Sequence, residues 1–176
     1  ANNLGNLVNR VVVLSLKLEW DNWMLNKPTQ FKLSLDSWYK WNTFRGNPFT
    51  QRYYFKEQLL EYFMEYDLKE ALGLCFGYLD VLNKYADETE PWNLIKIDEE
   101  TAKEVLYILA EGLRQVGLAL YPFFPEKMSE VFEKLGLEWY TEKLEAGKLE
   151  ELLNKSETFK IKEKWEPLFQ RIELEK

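Results

Sequence analysis

The stretch Asn83-Lys-Tyr-Ala-Asp-Glu-Thr-Glu-Pro-Trp92 decides how the rest of the chain is read. An amphipathic helix runs into it, with apolar Leu74, Cys75, Tyr78, Leu79, Leu82 and Tyr85 at helical spacing. The pattern ends that helix at Tyr85, before a short acidic turn. Pro91 restarts the chain, because its fixed φ suits the first turn of a new helix. Trp92 follows at the lip of the turn instead of deep in a periodic apolar run. An indole in that position either plugs the helix junction or offers a face on which a nucleobase can stack. The ten residues alone leave both open.

The first helix adds a second set of groups. Leu4, Leu7, Val8, Val11 and Leu14 recur at three- and four-residue steps and define a buried face, predicting a helix to about Leu18. Asn6 and Arg10 are four apart and share another face. A side-chain amide and a guanidinium on one helix side suit the edges of unstacked bases, and equally suit a solvated flank.

The remaining pattern is helical throughout. A second helix is expected over about Thr50 to Tyr66, and Asp67-x-x-Glu70 is a capping-box-like start for the third. Gly73 and Gly77, four apart, suggest a close helix approach. After Pro91-Trp92 comes a short helical turn. Asp98-Glu-Glu-Thr101 then opens a long helix to about Tyr121, with acidic residues at its positive end. Pro122 and Pro125 separate it from a helix that stops at Gly136. Leu144, Leu149, Leu152 and Leu153 carry a weak helical period in a charged stretch. Between Glu19 and Pro48 the periodicity fails, and Asn26-Lys27-Pro28 and Arg45-Gly46-Asn47-Pro48 are turn signals around a short capped segment, Ser34 to Trp41. The expected fold is therefore all-α, an antiparallel helical bundle over residues 1–156. An irregular aromatic-rich segment lies around 19–48. A C-terminal helix over 157–176 packs back through Trp165, Leu168, Phe169 and Ile172.

Composition bounds the chemistry. The 176 residues are 46% hydrophobic, enough for one domain with a real core. The complete absence of histidine excludes Ser-His and Cys-His catalysis and imidazole zinc sites, and a single cysteine excludes a thiolate cluster. Cys75 falls in the apolar helical pattern, which suits a reducing, cytoplasmic setting. No apolar run approaches the roughly 20 residues that cross a bilayer, so no membrane partner is expected, nor is a secretory signal seen. There is no Gly-rich phosphate loop. The formal charge of −7 opposes RNA binding, but it is unevenly spread. Residues 1–56 hold eight lysines and arginines against Glu19, Asp21 and Asp36, giving +5 there and −12 in the remainder. Trp20, Trp23, Trp38 and Trp41 fall in the same basic third, and basic residues interleaved with aromatics are what a single-stranded RNA surface requires. The same aromatics would serve equally to pack an irregular segment on the bundle.

The segments LGNLVNR (residues 4–10), NKYADETEPW (83–92) and LYPFFPEKMSEVFEKLGL (120–137) together resemble the anticodon-binding domain of methionyl-tRNA synthetase, a class I aminoacyl-tRNA synthetase. The Asn-x-Tyr, acidic turn and Pro-Trp of the second segment are the discriminating feature. The Pro-Phe-x-Pro turn of the third is shared with the leucine, isoleucine and valine enzymes. The closing Pro167-Leu-Phe-Gln-Arg-Ile-Glu173 is similar to the end of that enzyme's core, with Gln170 where the commoner bacterial form has proline. The irregular segment is the main departure, since the family usually has a shorter turn there.

The resemblance implies recognition of the CAU anticodon loop of initiator and elongator methionine tRNAs. Trp92 would stack on the first anticodon base, Asn6 and Arg10 would bond base edges, and Asp87 and Pro91 would lie nearby. It also implies a catalytic domain upstream in the same enzyme, which would attach methionine using ATP. This chain itself would need no cofactor, metal or catalytic residue. The class I signature motifs are absent. Lys127-Met128-Ser129 only looks like the start of one, since Glu130 follows where a lysine is needed. A free-standing helical module that binds RNA or protein is the alternative, and DNA is not expected as a partner.

Overall fold

The computed structural model describes residues 2–18, 24–25, 48–155, 157–162 and 168. Among them are eight helices: α1 (Asn2–Lys17), α2 (Pro48–Met64), α3 (Leu68–Thr89), α4 (Pro91–Ile97), α5 (Glu99–Leu120), α6 (Pro125–Lys134), α7 (Tyr140–Glu145) and α8 (Leu149–Asn154). A two-residue antiparallel ladder joins β1 (Met24–Leu25) to β2 (Phe159–Lys160).

The architecture is a helical bundle built around α5, and the sequence says why. Every residue of α5 from Glu104 to Leu120 is buried, as a helix with apolar side chains around most of its circumference must be. It packs against α1, α2, α3, α4, α6 and α8. The short Glu65–Asp67 link folds α2 and α3 into a helical hairpin. Leu82 of α3 lies against Gly112 of α5, where an added Cβ would sit 2.4 Å from the leucine side chain. Glycine at 112 is therefore the close approach between the two long helices. The expected close approach at Gly73 and Gly77 is not found. Nothing lies within 4 Å of a Cβ at either position, because both residues face outward on α3.

Helix starts follow the caps. The Asp67 carboxylate accepts from Glu70 N–H at 3.2 Å, and that of Asp98 accepts from Thr101 N–H at 3.1 Å. Pro48, Pro91 and Pro125 each open a helix. Two expectations need correction. The third helix does not end at Tyr85 but continues through Ala86, Asp87 and Glu88 to Thr89. The acidic turn shrinks to one residue, Glu90, in the left-handed region at φ 45° and ψ 58°. Ala86 is fully buried and Asp87 has an ion-pair partner on α1, so tertiary contacts carry the helix one turn further than composition suggests.

The second correction concerns the tail. Its described part, 157–162, is not helical, and Phe159–Lys160 form a strand. Lys160 N–H donates to the Leu135 carbonyl at 3.2 Å, and Lys162 N–H to that of Lys134 at 3.3 Å. Gly136, at φ 74°, lets this strand lie against the end of α6, since a Cβ there would stand 2.3 Å from the Lys160 carbonyl oxygen. Leu168 is buried. Trp165, Phe169 and Ile172 lie outside the described residues, as do Trp20, Trp23, Trp38, Trp41 and the proposed short helix between 34 and 41.

The breaks in the apolar run of α5 are a buried polar knot. Arg114 is fully buried and grips Glu111 with two bonds, Nε to Oε2 at 2.8 Å and Nη2 to Oε1 at 2.6 Å. Its remaining donors reach the carbonyls of Leu152 and Lys155, both at 2.7 Å, and the Tyr140 hydroxyl at 3.1 Å. Gln115 donates to Glu111 at 3.2 Å and to the Leu153 carbonyl at 3.3 Å. These bonds add side-chain donors to carbonyls at and just after the end of α8, where Leu152 also accepts from Lys155 N–H at 3.2 Å, and tie this part of the chain to the central helix. Burial works against the Arg114 charge, and the Glu111 carboxylate outweighs it, so the guanidinium is held protonated more firmly than usual.

A candidate RNA interface where α1, α3 and α4 meet

Two contacts fix how α1 lies on α3. Asn3 Nδ2 donates to Asp80 Oδ1 at 2.6 Å, and Arg10 Nη1 donates to Asp87 Oδ1 at 2.7 Å. Both pairs are 77 residues apart. The helices therefore run parallel and in register, side by side. Asn83 falls level with Asn6 on this offset, and its amide donates to the Asn3 carbonyl at 3.3 Å and to Leu79 at 2.9 Å. Asn3 and Asp80 line the seam and were not singled out in the sequence, while Asn83, which lines it too, is the asparagine of the Asn-x-Tyr signature. The repeated offset is visible only once one pairing is known.

At the far end of the seam the Arg10 guanidinium carbon stands 5.8 Å from the centre of the Trp92 ring. The indole is half-buried, one side packed on the core. Its direction is set by the junction before it. Glu90 in the left-handed region costs about 1–2 kcal/mol for a residue with a side chain. That residue closes α3 through its N–H to Ala86 and opens α4 through its carbonyl, which accepts from Asn93 N–H at 2.8 Å and Leu94 N–H at 3.1 Å. Pro91 is buried, locking the first turn of α4 in place.

The structure thus brings together Arg10, Asp87, Pro91 and Trp92, and sets Asn6 one turn before Arg10 on α1, exposed. It places Asp87 on a helix, facing Arg10, rather than folded onto its own backbone in a turn. The Arg10–Asp87 pair is a surface one, with side chains 36% and 58% exposed. Such a pair is worth at most about 1 kcal/mol, and a cation over a half-buried indole about 1 kcal/mol. This cluster adds little stability, so its groups are free to exchange partners with a ligand. Lys127-Met128-Ser129, by contrast, is ordinary helix. Met128 is buried, Lys127 pairs with Glu130 at 2.7 Å, and Ser129 donates to the Pro125 carbonyl at 2.9 Å.

No family model matches the chain. Its sequence is nevertheless similar to known proteins along its whole length. It is 33% identical over 177 residues to the methionine–tRNA ligase of Bacillus subtilis, covering 99% of this chain and 24% of that protein. To the methionine–tRNA ligase of Caldanaerobacter subterraneus it is 32% identical over 179 residues, covering 100% of the chain and 25% of the relative. That of Lactococcus lactis is 30% identical over 184 residues, with 99% and 24% covered. The fold is that of part of the Mycobacterium tuberculosis methionyl-tRNA synthetase, solved in complex with methionyl-adenylate. The TM-score is 0.74 over 97% of this chain and 31% of that one, at 21% identity. The chain spans about a quarter of the length of these curated relatives. Its homologues are methionyl-tRNA synthetases, and it corresponds to a C-terminal part of them.

Proposed function

We propose that the chain is the anticodon-reading part of a methionine–tRNA ligase, binding the CAU loop of initiator and elongator methionine tRNAs. The observation that carries this is the convergence of a guanidinium and an indole from distant parts of the chain on one accessible edge. An unstacked base that takes the Trp92 face displaces the Arg10 guanidinium from it. Arg10 then moves to the edge of that base or its neighbour, where its planar fork matches paired acceptors. Asn6, a turn away, offers a donor and an acceptor to a second edge. Asp87 holds Arg10 at the site in the absence of RNA, and Pro91 fixes the plane of Trp92.

The work of this part is binding. The attachment of methionine with ATP belongs to the catalytic part of the longer enzyme. Among the described residues no helix is long and apolar enough to cross a membrane, which fits a tRNA-handling protein of the cytoplasm. The test is titration of an RNA hairpin carrying a CAU loop against one with the anticodon exchanged. Tighter binding of the CAU hairpin by tenfold or more is expected, since each missed base contact costs about 1–3 kcal/mol. Equal affinity for the two hairpins defeats the proposal and favours a general interaction module.

A further inference from the structure

The α1 stripe that carries Asn6 and Arg10 does not stop there. At 100° per residue, Asn3, Asn6, Arg10, Val13 and Lys17 fall within about 80° of one another round the helix. Val13 is 37% exposed, whereas Val8, Val11 and Val12 on the same helix are at most 1% exposed. Lys17 is exposed as well. An isolated valine in water needs no explanation; one set between a guanidinium and an ammonium on a candidate RNA-binding stripe does.

The register of the seam says where these two groups stand. The offset of 77 that pairs Arg10 with Asp87 puts Val13 level with Glu90, the residue from which Pro91 and Trp92 project. Lys17 follows about 6 Å further along the axis. The opposing edge, formed by α3 and its junction, carries Asp87 and Glu90, and beside them Glu88 paired with Lys84 at 3.8 Å. Phosphates are repelled from that edge and attracted to the α1 edge with Arg10 and Lys17.

We propose that Val13 and Lys17 form a second nucleotide subsite, next to the base on Trp92. Val13 packs against the sugar or base of the adjoining loop nucleotide, and Lys17 takes its phosphate. This rests on the anticodon-reading function above, and it adds that the RNA strand tracks along α1 past Trp92 toward the end of that helix. The contacts are of the kind that hold a strand in place without reading its sequence.

The test uses this chain, the CAU hairpin and the exchanged hairpin, titrated over a range of salt concentrations. Lys17→Ala is expected to weaken both hairpins by the same factor and to lower the slope of log affinity against log salt by about 0.7, the value for one single-stranded phosphate contact. Val13→Glu is expected to weaken both about tenfold by putting a carboxylate against the strand. Both side chains are exposed, so thermal unfolding should be unchanged. An unaltered salt slope in Lys17→Ala, or unaltered binding in Val13→Glu, overturns the subsite. Trp92→Ala separates the two proposals. If it loses the CAU preference while the stripe variants bind normally, only the subsite falls; if it too binds as the parent does, the anticodon reading falls with it.

Discussion

At the scale of single residues, the groups proposed to bind RNA are not those that hold the fold. Trp92 is half-buried with one side on the core, and Arg10 sits in a surface ion pair. Arg10→Gln should therefore cost no more than about 1 kcal/mol in urea unfolding while abolishing most of the preference for the CAU hairpin. A loss of stability several times larger would mean that the guanidinium is a structural strut. Trp92→Ala removes more packing but should still leave a cooperatively folded chain without base stacking. A collapse of the thermal transition would mark the indole as core. Cys75 is the opposite case. It is fully buried, and desolvation pushes its thiol up to about 12. The thiolate is the reactive form, so iodoacetamide at pH 8 should leave folded Cys75 unmodified and label it rapidly in denaturant. Labelling of the folded chain at the unfolded rate would show that α3 opens readily.

At the scale of elements, what could be read in the sequence was whatever local chemistry determines. The Asp67 and Asp98 caps, Pro91 and Pro125 and the apolar stripes of α1, α3 and α5 are short-range signals, and each specified its helix, whereas Pro48 read as a turn and instead opens α2. Ala86 to Thr89 misled because acidic and polar residues look like a turn, while their helix is held by burial of Ala86 and by Arg10 from another element. In the sequence, Glu111, Arg114 and Gln115 interrupt the longest apolar stretch, Val105 to Phe124. Their spacing of three and four was a usable sign that they bond one another, though not that they reach α8. The tail's strand depends on partners far away in the chain and left no local mark. The residue types of the candidate site are expectations from the resemblance, whereas the pairing of Arg10 with Asp87 required the fold. Gly73 and Gly77 show the limit of spacing arguments, since a four-residue step fixes a common face without saying which way it looks. Because a Cβ at either position meets nothing, Gly73→Ala and Gly77→Ala should each stabilise the chain by about 0.5–1 kcal/mol through helix propensity alone. A destabilised variant in urea titration would mean that something else packs on this face of α3.

At the scale of the whole molecule, the buried Arg114 knot decides whether the C-terminal third holds to the bundle. The site lies at the other contacts of α5, where α1, α3 and α4 pack, so the central helix connects the two regions. Removing Arg114 leaves the Glu111 carboxylate buried without its cation and takes the guanidinium bonds away from the carbonyls of Leu152 and Lys155. Arg114→Ala should cost about 3–5 kcal/mol, the range for breaking a buried pair from one side, against a total of about 5–15 kcal/mol for a typical domain. Most of that cost is the stranded carboxylate rather than the loss of the pair's own attraction. The double variant Glu111→Leu with Arg114→Met removes both charges and keeps the volume, so it should be more stable than Arg114→Ala despite carrying the extra substitution. It should not regain the parent's stability, because the guanidinium bonds to the carbonyls of Leu152 and Lys155 are still missing, and a bond to a charged donor contributes about 1.5–3 kcal/mol. Chemical denaturation of the three chains orders them, and hydrogen exchange locates the defect, with amides of α8 and β2 exchanging faster and those of α1 and α3 unchanged. If the double variant were instead the least stable, the ion pair would be a net source of stability, and the knot would matter for its own energy rather than for the backbone it caps.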